Sequence, residues 1–165
     1  MADLSRRILF AAVGIAALVP TAVQAEPSLE LGAILDKYAA ALKAGNVEAI
    51  VRLYTANGAF MPPNTTALVG PEALRAAYKR IFTLLAVDVE FNVWEAAKYA
   101  ETGWSRSTSK VHTKTLATGK ETTNTFNQLV VFQPEGGVWK IRNYIYSPAE
   151  LLALDSSSTL KLSST

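Results

Sequence analysis

Few side chains in this sequence are equipped for chemistry, and the inventory narrows what that chemistry can be. There is one histidine, His112, and no cysteine. A nucleophilic triad needs a base beside a Ser or Cys. His112 stands between Lys110 and Lys114 on a polar stretch of strand, which reads as a solvated histidine, so that class is set aside. Metal sites draw several His, Cys or carboxylate ligands at set spacings. No such grouping occurs, and neither a metal nor an organic cofactor is expected. There is no Gly-rich phosphate loop either: Gly136-Gly137 reads as a hairpin turn and Gly103 stands alone. What remains are hydrogen-bonding groups set among apolar ones. Tyr38 lies on the apolar face of a helix. Asn124, Phe126 and Gln128 occupy alternate positions of one strand, Phe60 and Met61 end another, and Tyr144 and Tyr146 share a face of the last. A few convergent polar groups in aromatic and aliphatic walls are what small-molecule sites use. An unpaired buried amide costs about 1–3 kcal/mol. Asn124 and Gln128 therefore need partners, which either a network with Ser109 and Tyr38 or a ligand would supply.

Helices come before strands in the order of elements that must position these residues. Ser28 is a good N-cap for a helix whose apolar face is Leu31, Ile34, Leu35, Tyr38 and Leu42. Gly45 is placed to end it in the left-handed conformation, and Asn46 to cap a second helix with Val47, Ile50, Val51 and Tyr54 on its buried face. Asn57-Gly58 breaks that helix, and Ala59-Phe60-Met61 forms a brief strand stopped by Pro62-Pro63. Gly70-Pro71-Glu72 opens a third helix with the face Leu74, Tyr78, Ile81, Phe82 and Leu85. Val87, Val89, Phe91 and Val93 then alternate with polar residues as a half-buried strand. Strands over roughly 102–116, 121–133 and 138–146 follow, with turns at Thr118-Gly119 and Glu135-Gly136-Gly137. Helices followed by an antiparallel meander make an α+β domain.

A two-residue turn at Thr118-Gly119 pairs Ala117 with Lys120 and His112 with Thr125. Paired residues share a face. One face then carries Ser107, Ser109, Val111 and Thr113 with Asn124, Phe126, Gln128, Val130 and Phe132, and is expected to be concave. His112, Leu129 and Val131 fall on the other. For the last strand two choices compete. Arg142, Tyr144 and Tyr146 form one face, and Trp139, Ile141, Asn143 and Ile145 the other, and both have reason to be buried.

Arg6-Arg7 followed by an apolar run from Ile8 to Val19 and by Val23-Gln24-Ala25 has the layout of a cleaved signal peptide over residues 1–25. The run is short for a membrane span, which takes about 20 apolar residues. Ser5-Arg6-Arg7-Ile8-Leu9-Phe10 resembles a twin-arginine signal and fits an ordinary secretory one as well. A periplasmic or secreted protein is the expectation, with no stable membrane span after cleavage. Loss of Arg6, Arg7 and Asp3 takes the net charge of +2 down to +1. With no basic stripe, nucleic acid is not an expected partner. Without cysteine, stability must come from an apolar core, and half of the residues are apolar. The Ser/Thr-rich stretch at residues 151–165 lacks the periodic apolar residues needed to pack and is expected to be a flexible tail. A single domain over residues 26–150 lies between them.

The stretch Ile34–Pro63 resembles the opening of the cone-shaped cystatin-like roll shared by ketosteroid isomerase, SnoaL-like polyketide cyclases and nuclear transport factor 2. Tyr-Ala-Ala-Ala-Leu before Ala44-Gly45-Asn46, Leu53-Tyr54-Thr55, Phe60-Met61-Pro62, Val69-Gly70-Pro71-Glu72-Ala73-Leu74, Asn127–Phe132 and Trp139-Lys140-Ile141 are similar to the SgcJ/EcaC-type group of SnoaL-like proteins. The resemblance implies three N-terminal helices packed on a curved, mostly antiparallel sheet, with a pocket at the wide end. It also implies that Tyr38 holds the position of the isomerase oxyanion tyrosine, Gln128 that of the second donor, and Pro62 that of the base. Proline cannot accept a proton, so steroid isomerisation by that mechanism is not expected. The expected ligand-binding residues are Tyr38, Phe60, Met61, Asn124, Phe126, Gln128, Tyr144 and Tyr146. Three functions fit. The leading one is an exported domain that binds a small, largely apolar molecule. The others are an enzyme of isomerase, lyase or hydrolase type, with Glu95 and Asp36 the nearest carboxylates, and a partner-binding module using Leu129 and Val131. A homodimer is compatible with all three.

Overall fold

The computed structural model describes residues 26–149. The segments read above as a signal peptide, 1–25, and as a tail, 151–165, lie outside them. In chain order the elements are β1 (Glu26–Pro27), α1 (Leu29–Lys43), α2 (Val47–Arg52), β2 (Tyr54–Met61), β3 (Leu68–Val69), α3 (Gly70–Leu84), β4 (Leu85–Lys98), β5 (Gly103–Thr115), β6 (Glu121–Glu135) and β7 (Val138–Pro148). The strands form one seven-stranded sheet in the order β1-β4-β5-β6-β7-β2-β3. All pairings are antiparallel except β2 with β7, which is parallel. The curved sheet carries the three helices on its concave side, the α+β roll expected from sequence.

The helix boundaries follow from the caps. The Ser28 hydroxyl accepts from the Leu31 amide at 3.3 Å, and the Asn46 side chain from the Ala49 amide at 3.0 Å. Between them Gly45 sits at φ +62°, a left-handed backbone that favours glycine. Leu31, Ile34, Leu35, Tyr38 and Leu42 of α1 join Leu74 and Tyr78 of α3, with Val130, Phe132, Ile141 and Tyr144 of the sheet, in a single core.

In two places the tertiary partner overrides the local pattern: Leu85, expected on the face of the third helix, opens β4 opposite Thr115, and α2 stops short. Helical spacing carries α2 to Tyr54, but α2 ends at Arg52 and Tyr54 opens β2. The Leu53 carbonyl accepts instead from the Ile141 amide of β7 at 2.7 Å, so the chain leaves the helix early to pair with the sheet. Tyr54 is buried either way.

The hairpin between β5 and β6 is wider than the two-residue turn expected. Thr115 and Lys120 close a four-residue loop with Gly119 at φ +68°. His112 accordingly faces Thr123, not Thr125, and Ser109 faces Phe126. The shift is two residues, and side chains alternate with a period of two. The face sets survive intact. Ser105, Ser107, Ser109, Gln128, Val130 and Phe132 are buried on the concave side, and His112 is exposed on the convex side with its Nδ1 2.7 Å from the Thr123 hydroxyl.

A β-bulge settles the competition over β7. Val131 faces Asn143 while its neighbour Phe132 faces Ile141, which leaves Arg142 as an extra residue. Side chains beyond the bulge change parity, so Tyr144, Tyr146 and Ile141 all point to the concave side. On β2 the pairing jumps from Tyr54↔Ile141 to Ala59↔Asn143, so residues 55–58 loop out opposite Arg142. The two irregularities lock together: the Arg142 guanidinium donates to the Asn57 carbonyl, and the Ala56 amide donates to a Glu135 carboxylate oxygen at 2.8 Å. Gly58 is required in that loop, because a Cβ there would lie 2.8 Å from the Tyr54 side chain.

Candidate functional site

A cavity of about 250 Å³ opens between α1, α3 and the concave face of the sheet. α1 contributes Tyr38 and Leu42, β2 contributes Phe60, and α3 contributes Tyr78 and Ile81. Leu85, Val87 and Val89 of β4, Val111 and Thr113 of β5, Phe126 and Gln128 of β6, and Tyr144 and Tyr146 of β7 complete the wall. Six of the eight residues picked out from sequence therefore come together here.

The other two do not. Met61 follows Phe60 on β2 and faces Ile145 of β7, so strand alternation puts it on the convex side when Phe60 faces in. Asn124 has the concave parity but pairs with Val111 near the open end of the sheet, where it is exposed. Neither lines the cavity.

The polar groups divide into two networks. In the first, the Gln128 amide nitrogen donates to the Ser109 hydroxyl, and its carbonyl oxygen accepts from Ser107 at 3.3 Å. The amide is thus engaged at both ends by two buried serines of β5, the structural alternative left open above, with its second N–H unpaired among the described residues and Tyr38 taking no part in it. In the second, the Tyr78 hydroxyl lies 2.6 Å from that of Tyr38 and 3.2 Å from that of Tyr54. Tyr78 was read from sequence only as part of an apolar helix face. A tyrosine at such a position needs a partner for its hydroxyl, which was the signal available. Aromatic packing holds the cluster in place. Tyr38 meets Tyr144 edge-on with ring centroids 5.4 Å apart, and Phe60 stacks on Tyr78 at 5.5 Å and on Tyr146 at 5.8 Å.

Burial holds the phenols of Tyr38, Tyr78 and Tyr144 well above the ordinary value of 10.0, and raises those of Tyr54 and Tyr146. All five stay protonated, as neutral donors, at any pH near neutrality. Among the described residues the cavity wall holds no carboxylate, histidine or cation. Asp36 and Glu95 line a separate depression with Trp94. No group of three or more His, Cys, Asp or Glu that could hold a metal occurs among the described residues.

Tyr78 is the middle member of its chain, which makes its hydroxyl the most consequential of the three. Tyr78→Phe strands the hydroxyls of both Tyr38 and Tyr54 and is expected to lower stability by about 1–3 kcal/mol. Tyr38→Phe leaves the Tyr54–Tyr78 bond in place and costs less. Urea denaturation of the two variants checks the order, and equal losses would mean that the chain is not a unit.

Comparison with known proteins places this architecture. The SnoaL-like domain family matches residues 35–142. No curated protein matches the sequence. Among solved structures, a ketosteroid isomerase-like protein from Erwinia carotovora atroseptica superposes with a TM-score of 0.68 at 23% identity, over 74% of this chain and 95% of that one. An NTF2-like protein with a cystatin-like fold from Novosphingobium aromaticivorans gives 0.60 at 15% identity, over 78% and 82%. An uncharacterised protein with a cystatin-like fold from Caulobacter vibrioides gives 0.63 at 13% identity, over 73% and 88%. At these identities the likeness is one of fold.

Proposed function

We propose that this chain, which belongs to the SnoaL-like domain family, binds a small, largely apolar molecule carrying a hydrogen-bonding oxygen in the cavity between α1, α3 and the sheet. The observation that carries this is the composition of the wall: aliphatic and aromatic residues throughout, with phenols and one amide as its main polar groups. Proton abstraction needs a group that can accept the proton, and the described lining offers no carboxylate or histidine for it. Binding is therefore favoured over turnover.

Size narrows the ligand further. An apolar cavity of about 150 Å³ accommodates benzene, and drug-sized ligands occupy about 300–1,000 Å³. The volume here, about 250 Å³, suits a molecule of one or two rings. The proposal includes export, supported by Arg6-Arg7, the apolar run and Val23-Gln24-Ala25. It includes a homodimer through the convex face, supported by Leu129 and Ile145, which face each other across β6 and β7 and are 44% and 46% exposed.

A bicyclic hydrocarbon such as indane tests the cavity itself. At about ten times its Kd it is expected to stabilise the protein by about 1.4 kcal/mol, read as a raised melting temperature. Native mass spectrometry of protein from its own source is expected to show a retained molecule of one- or two-ring mass. No shift with indane and no retained molecule would sink the proposal.

A further inference from the structure

The edge of β6 toward β7 is covered along only part of its length. β5 pairs with β6 from Glu121 onward, whereas β7 pairs with it from Phe126. Pro148, opposite Phe126, does not close the ladder, because the Ala149 amide still donates to the Thr125 carbonyl at 2.9 Å. Alternate residues of a strand turn their backbone groups to its two neighbours. Thr123 and Glu121 therefore present N–H and C=O to the same side as Thr125, along an exposed stretch with neither proline nor bulge. An edge of that kind is a template for one more strand. The next residues of this chain, Glu150-Leu151-Leu152-Ala153, begin where that edge begins.

We propose that residues 150–153 extend β7 along this edge and close the mouth of the cavity. Register fixes the faces. Continued from Pro148 opposite Phe126, it puts Glu150 opposite Asn124, Leu151 opposite Thr123 and Leu152 opposite Thr122. Two rows of side chains cross the concave face there. Val89, Val111 and Asn124 form one, and Val87, Thr113 and Thr122 the next toward the open end. The first two members of each row line the cavity, and the third is exposed. Glu150 completes the first row and Leu152 the second, so an apolar residue takes the outermost place beside an apolar wall. The expectation of a flexible tail over residues 151–165 rested on Ser and Thr residues, which begin at Ser156, beyond the part this edge needs. Closure of the cavity rests on the binding function proposed above; the strand does not.

Amide hydrogen exchange reads the strand without a ligand. The extension bonds the Thr123 amide to Leu151, while the Thr122 and Asn124 amides face β5. Thr123 is expected to exchange roughly 10- to 100-fold more slowly in the full chain than in a variant ending at Ala149, two hydrogen bonds at about 3- to 10-fold each. Thr122 and Asn124 are expected to agree within about twofold. Leu151→Pro is expected to act like the truncation, because the amide it removes faces β6. Leu152→Pro is expected to keep the protection, because that amide faces away. Release of bound indane waits on the same opening, and in the truncated variant it is expected to quicken by the same factor, roughly 10- to 100-fold. Equal Thr123 exchange in the full chain and the truncated variant overturns the strand. Protection that survives truncation and fades on dilution assigns the edge to a second copy of the chain and overturns it too. Lost protection with unchanged indane release overturns closure of the mouth. Should the truncated variant fail to fold, equal Thr123 exchange in Leu151→Pro and Leu152→Pro overturns the strand alone. Failure of indane to bind at all is the separate failure of the binding function, and the exchange result stands without it.

Discussion

Raised above pH 10, the domain is expected to unfold, with tyrosinate absorbance appearing in the same transition that removes its secondary structure. Five of the six tyrosines are shifted upward, with burial the largest cause for each. In the unfolded chain these phenols ionise near 10, while in the folded protein they hold their protons to higher pH. Above pH 10 the folded state therefore binds more protons than the unfolded state, and stability falls as pH rises. The stability these groups contribute is fully present below pH 10 and is lost as pH climbs toward their folded values. Because they share one cluster, ionising one exposes the others, and the loss is cooperative. Absorbance at the tyrosinate band and far-ultraviolet circular dichroism, recorded across the same alkaline titration, check the coincidence. Separate ionisation of the five phenols in a protein that keeps its circular dichroism would show that the cluster is open to solvent.

Ile141→Ala is expected to destabilise the domain far more than Arg142→Ala. The bulge at Arg142 lets Tyr144 and Ile141, three positions apart, point to the same side of the sheet. Were Arg142 taken into the ladder as a regular residue, strand alternation would turn Ile141 outward and bring Lys140 toward the core. The adjoining turn cannot absorb the slip, because Glu135 and Val138 close a two-residue loop with Gly136 and Gly137 both at positive φ. Ile141 is fully buried, and truncating such a side chain to alanine costs about 2–5 kcal/mol. That is a large fraction of the 5–15 kcal/mol that holds a typical domain together. Arg142→Ala keeps the bulge and loses chiefly the hydrogen bond to the Asn57 carbonyl. Chemical denaturation of both variants decides the matter. An Ile141→Ala variant no less stable than Arg142→Ala would mean that the Ile141 side chain adds little to the core.

What was legible in the sequence was what neighbouring residues determine. The caps Ser28 and Asn46, the apolar faces of α1 and α3, and the alternation along β4 to β6 are local signals, and the elements appear where those signals put them. The concave face of β5 and β6 was assigned correctly from a turn of the wrong length, because an error of two residues preserves parity. What was hidden depends on partners distant in sequence. The start of β2 at Tyr54 is set by Ile141, the short β1 and β3 exist only through β4 and β2, and the Arg142 bulge answers the loop at residues 55–58. The site divides the same way. Tyr38, Phe60, Phe126 and Gln128 were visible as polar or aromatic residues of candidate inward faces, whereas the face of Tyr144 and Tyr146 stayed open until the bulge at Arg142 decided it. Met61 and Asn124 were misplaced because alternation names a face only once the strand's direction and extent are known. The Tyr38–Tyr78–Tyr54 chain joins three elements and has no signature in any one of them.

The parallel pairing of β2 with β7 has a consequence for how the molecule is made. Phe60 and Tyr144, partners in that ladder, stand half the chain apart, and pairings of high sequence separation close slowly because the intervening loop must first lose its entropy. The meander β4 to β7 can assemble by successive hairpins, and α1 and α2 by local contacts. Joining the two halves is the late step, and it brings Tyr54 and Phe60 to Tyr144. Folding should thus show a slow phase that reports on these aromatics after most backbone structure is in place. Any molecule that fits the cavity can act only after that step, slowing the unfolding of the finished protein without speeding its formation.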